Sequence, residues 1–170
     1  MTNDDHVEVD VDEEYTFNIK EKITPDYRMA YQILTWLQGN LEGLTDDDEH
    51  TIFSKVNTGF NESTLKSYGR KPVCDVYLDR VEYDGDFDNH VPSNAYTFIL
   101  FHMKGANNDT YLKACSLHDY LMQTFLSEES FRTLQGIVKD THIENSEIRI
   151  QPVNKKWGLI GAFELKHELY

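Results

Sequence analysis

Asp84, Asp86 and Asp88, each two residues from the next and followed by Asn89, have the spacing with which a loop converges oxygen ligands on a hard cation. The rest of a calcium loop does not follow. The sixth position is Asn89 where a glycine would make the sharp turn, and the twelfth is Ala95 where a bidentate Glu would close the coordination shell. The run is read as a solvated acidic turn. Glu164-Leu165-Lys166 resembles the strand half of a metal-dependent nuclease site, in which an Asp on another strand (here Asp75 or Asp79) completes a Mg²⁺ site and the Lys stabilises charge. Glu-x-Lys recurs by chance, and no basic groove accompanies it. Cys115 and His118, three apart on an expected helix, could present two zinc ligands, but no second pair stands at a useful spacing, so core packing is the expected role. HExxH, GxSxG, P-loop and GxGxxG patterns are all absent. The residues therefore predict a non-catalytic protein with no catalytic, cofactor-binding or metal-ligating side chains.

Charge narrows the partners. The formal net charge is −14 over 170 residues, and the densest basic spots are the pairs Arg70-Lys71 and Lys155-Lys156. Neutralising a duplex backbone needs a basic stripe, and adhesion to an anionic membrane needs a basic face. Neither binding mode is expected. Cys74 and Cys115 lie far apart in apolar segments, which points to free thiols and a reducing compartment. The stretch MTNDDHVEVDVDEE has neither the basic nor the apolar region of a secretory signal, and no apolar run is long enough to span a bilayer.

The elements follow from periodicity. Residues 1–21 form an acidic arm expected to be flexible, and 22–170 a single domain. Within the arm, Val7, Val9 and Val11 alternate with charges, and Tyr15, Phe17 and Ile19 continue that parity. Alternation is a strand signal, so the arm could become a strand on a neighbouring subunit's sheet. Thr24 as N-cap and Pro25 at the first helical position open a helix whose stripe is Ala30, Ile33, Leu34, Leu37, Leu41 and Leu44, with Trp36 beside it. Residues 50–71 read as a short helix or strand and then an extended connection.

A strand follows, with Val73, Asp75, Tyr77, Asp79 and Val81 on one side and Cys74, Val76, Leu78 and Arg80 on the other. After a turn at Asp84-Gly85-Asp86 and a long connection, Ala95–Met103 is apolar on both parities and reads as a central, antiparallel partner. A helix capped by Asn108 or Asp109 presents Tyr111, Ala114, Cys115, His118, Leu121, Met122, Phe125 and Leu126, and a shorter one is capped by Ser127. A hairpin closes the chain, with Trp157 in its turn at 154–158, either folded back on the sheet or acting as an interface anchor. The fold class is α+β: a mainly antiparallel sheet with helices packed on one face, leaving an open face and an edge for a partner.

This layout resembles the tail-terminator and neck (head–tail completion) proteins of tailed bacteriophages. The matching segments are Tyr27–Leu41, Val73–Tyr83, Ala95–Lys104, Tyr111–Leu126 and Glu147–Glu168, and the run Trp157 to Leu165 is similar in character to the last strand of those proteins. The resemblance spans most of residues 25–168 as an arrangement of elements, and it carries no catalytic motif. It implies a structural virion protein, assembled in the host cytoplasm. Such a protein forms a homo-oligomeric ring, usually a hexamer, that caps the tail tube and joins it to the head. Its partners are then copies of itself, the tail tube protein and the head-completion or connector protein. DNA passes without specific binding, which a negatively charged lumen favours. Val7, Val9, Val11, Phe17 and Trp157 are the candidate subunit-interface residues, and Asp84, Asp86 and Asp88 the candidate lumen- or partner-facing acids. The alternatives are another head–tail connector or minor capsid component, an acidic DNA mimic that captures a basic protein, and the metal-dependent nuclease.

Overall fold

The computed structural model describes residues 25–59, 71–85, 91–153 and 156–170. Val7, Val9, Val11, Phe17, Asp86 and Asp88 lie outside them, as does the rest of the acidic arm. Helix α1 (Pro25–Glu42) starts at the proline that the sequence places at its first turn. It leads to a short strand β1 (Lys55–Thr58), then β2 (Val73–Asp84) and β3 (Val91–Lys104). Helix α2 (Asn108–Ser127) and the one-turn helix α3 (Glu129–Thr133) precede β4 (Asp140–Val153) and β5 (Lys156–Glu168). Among the described residues the strands form one five-stranded sheet of order β1-β2-β3-β5-β4, with β1 parallel to β2 and every other pair antiparallel. The expected α+β class is therefore the observed one.

The helices share one face. Ile33, Leu37 and Leu41 of α1, Ala114, Leu121 and Phe125 of α2, and Phe131 of α3 close over Val56, Cys74, Val76, Ile99, Phe101, Leu159, Phe163 and Leu165. Residues 33, 37 and 41 recur at the helical repeat, which is why a single stripe of α1 reaches the core. β3 and β5 approach closely at Gly161, opposite Phe101, where a Cβ would fall inside the Phe101 ring. Glycine fits there because it leaves that volume to the aromatic.

Several expectations are corrected. The undecided stretch after α1 contains β1, which joins the sheet through β2 in parallel register, Lys55 opposite Val73. The side assignment along β2 fails past Leu78. Register shifts between Leu78 and Arg80, so Asp79 is the extra residue of a bulge; Val81 then pairs with Ala95 and packs on the core side, while Arg80 turns to the other face. The β2–β3 connection is shorter than expected, because β3 begins at Val91. Pro92 is tolerated in β3 because β5 ends at Glu168, opposite Asn94, leaving Pro92 on a locally open edge beside a second register shift.

Helix α2 is capped by Asn107, whose side chain accepts from the Thr110 N–H at 2.9 Å, rather than by Asn108 or Asp109. Glu128, not Ser127, stands at the start of α3. Tyr111 and Leu126 are exposed, so the buried face of α2 is narrower than its apolar stripe. Trp36 is half-buried: it meets Phe131 edge-on at 5.0 Å and donates its indole N–H to the Gln135 side chain.

Candidate assembly surface

Trp157 is not in a turn. It is the second residue of β5 and pairs with Pro152 of β4. By strand parity it belongs to the helix-side row with Leu159, Phe163 and Leu165, yet it is 61% exposed. The reason is geometric: the β4–β5 hairpin runs past the end of the helix layer, and Trp157 and Ile150 share a groove there with Ala106 and Asn107, just ahead of α2. Ile150 is 53% exposed. Of the two readings of Trp157, the structure places it out on the surface rather than folded into the core. On the other face of the same corner, Lys104, Arg149 and Lys156 are exposed, and Arg149 meets Glu147 at 2.8 Å.

Asp84 lies at the far end of the sheet. It ends β2, opposite Val91, and borders a groove shared with Asn94, Lys139, Glu168 and Tyr170. Val91 and Tyr170 are exposed there. The length of β3 separates this end from Lys104 and Trp157, roughly 40 Å at strand rise. The structure thus does not bring the two describable candidates, Asp84 and Trp157, together. They mark two distinct surfaces.

The nuclease candidates fall on the sheet face away from the helices. Asp79 and Glu164 are drawn together by the Arg80 guanidinium, which lies 2.6 Å from Asp79 and 3.0 Å from Glu164 and 3.6 Å over the Tyr96 ring. Its hydrogen bonds to Asp79 and then Glu164 hold the guanidinium even more firmly protonated than usual. The position between those carboxylates where a cation would sit is thus taken by a side chain. Asp75 belongs to another group: it accepts from the Asn57 amide at 2.8 Å and faces His102 Nε2 at 3.2 Å, all within the buried interior. Among the described residues, no cluster of three or more His, Cys, Asp or Glu is arranged to hold a metal ion.

The sequence did not single out His167 as a buried residue, whereas His118 was expected to pack. His167 sits between two hydroxyls, with Thr97 Oγ1 2.7 Å from Nε2 and Thr141 Oγ1 2.9 Å from Nδ1. Burial pushes its pKa down to about 3, so it is neutral. The signal available beforehand was its parity with Leu165 and Phe163. His118 stacks on Phe163 at 4.5 Å, and burial lowers its pKa too, against a smaller opposing effect of Asp119. That contact realises the core-packing reading of the Cys115–His118 pair. Cys74 and Cys115 are free thiols, and burial raises the pKa of Cys74 well above the ordinary range.

No protein-family model matches the chain, and no curated protein is detectably similar to it in sequence.

Proposed function

We propose that this chain is a structural, non-enzymatic virion protein of a tailed bacteriophage: a tail-terminator or neck protein. In this reading it forms a ring, six copies in the simplest case, that caps the tail tube and joins it to the head. Its partners are copies of itself, the tail tube protein and the head-completion or connector protein, and DNA passes without specific binding.

The observation that carries the reading is the pair of unlike apolar surfaces at opposite ends of one sheet, Trp157 with Ile150 at one and Val91 with Tyr170 at the other. A molecule that presents two different surfaces can contact its copies head to tail, and such contacts close into rings when the rotation allows. A layout of one helix, two central strands, a helix pair and a closing hairpin further supports the resemblance. The net charge of −14 suits a channel that must not retain DNA.

The test is the mass of the purified protein by light scattering across concentration, with negative-stain images of the same samples. Rings with a central hole are expected. A protein that remains monomeric across the whole range would overturn the self-assembling ring.

A further inference from the structure

β4 is an edge strand. Among the described residues it pairs on one side only, with β5, along fourteen residues from Asp140 to Val153. Its helix-side row, Thr141, Ile143, Ser146, Ile148 and Ile150, is apolar toward its end and incompletely covered: Ile143 and Ile148 are half-buried and Ile150 is more than half exposed. Its other face ends at Arg149, which also meets Glu147 at 2.8 Å, with Lys156 beyond it on β5. A strand added here would need an apolar row on one side and acids on the other. It would also need a length close to that of β4.

Residues 7–19 have that pattern, interrupted once by Glu13 on the apolar side. Val7, Val9, Val11, Tyr15, Phe17 and Ile19 share one parity, and Glu8, Asp10, Asp12 and Glu14 share the other. We propose that this segment of a second copy docks along the free edge of β4, its valines continuing the Ile148–Ile150 row and its acids facing Arg149 and Lys156. Backbone hydrogen bonding to the open edge supplies affinity, and the alternating side chains set the register.

Ile150 belongs both to the β4 edge row and to the Trp157 groove proposed to meet another copy, so a neighbouring copy's segment is the occupant.

The inference rests on the self-assembly reading and is tested on the full chain. Val9→Pro disables the arm as a strand, and Ile150→Lys puts a charge on the edge row. Each variant alone is expected to lose self-association in sedimentation velocity. An equimolar mixture is expected to recover a species larger than a monomer that grows no further than the intact contacts allow, because one variant supplies the edge and the other the arm. Far-ultraviolet circular dichroism confirms that both variants are folded; if Ile150→Lys is not, Arg149→Glu replaces it. Rings that persist in Val9→Pro would overturn the arm contact and leave the ring standing. A wild-type oligomer that is not a ring but is lost in Val9→Pro would overturn the ring and keep the contact. A wild-type monomer, or a mixture that stays monomeric, would overturn the contact.

Discussion

His167 shows how a polar residue becomes part of a core. Its imidazole is held by Thr97 and Thr141, both buried, and the two hydroxyls satisfy both ring nitrogens without any charge. The consequence is a pH dependence of stability. The folded-state pKa is near 3, while an unfolded His titrates near 6.5. Between those values the unfolded chain binds the extra proton, so stability is full above about pH 6.5 and falls as the pH drops toward 3. The slope approaches about 1.4 kcal/mol per pH unit for this one group. His118 is shifted in the same direction and adds to the effect. Asp46 and Asp140, whose pKa values are lowered, act in a separate and more acidic window. Urea unfolding at pH 7 and pH 4.5 is expected to show a clear loss of stability at the lower pH, and His167→Gln a shallower dependence. Equal slopes for the two proteins would show that His167 protonation does not oppose folding.

At the scale of elements, the sequence carried what repeats and concealed what does not. α1, the central strand and the closing hairpin each have a long run of spaced apolar residues, and each stands where that spacing puts it. β1 is four residues long, too short to show a period, and its partner lies across a long connection, so its parallel pairing is a tertiary fact. The bulge at Asp79 reverses the sides of everything after it, and no residue type announces it. Asp75 sits among apolar neighbours on β2, and nothing in that alternation tells that its partners are Asn57 and His102.

Gly161 joins these levels. It read as one more residue of an alternating strand, but it is where β5 makes room for Phe101 across the sheet. Gly161→Ala overpacks that contact and is expected to cost about 1–3 kcal/mol of stability. Gly39→Ala, in α1 with open space at its Cβ position, is expected instead to gain on the order of 0.5–1 kcal/mol from helix propensity. Urea midpoints of the two variants decide this. A neutral Gly161→Ala would mean that the Phe101 ring moves aside without loss.

For the whole molecule, the candidate site was legible only as residue types. Trp157 and Asp84 stood out by type and position, but their placement at opposite ends of the sheet depends on a register that pairs β3 with β5 from Asn94 to Lys104. That placement sets Asp84 beside the Val91 and Tyr170 surface and away from the Trp157 one. Asp84 is exposed at the end of β2. Replacing Asp84, Asp86 and Asp88 together by Asn removes three charges from a net charge of −14. Folding stability is expected to change by no more than about 0.5 kcal/mol, as for surface substitutions in general. Rings are expected still to form, because the apolar side chains of both proposed surfaces, Trp157 with Ile150 and Val91 with Tyr170, are unchanged. What should change is the repulsion of DNA: if these acids face the lumen, the triple variant retains duplex DNA at low ionic strength where the parent does not, and salt abolishes the difference. A variant that fails to fold would place these acids inside the structure rather than on its exterior. Unchanged DNA retention in well-formed rings would place them on the outer surface, facing a neighbouring ring rather than the channel.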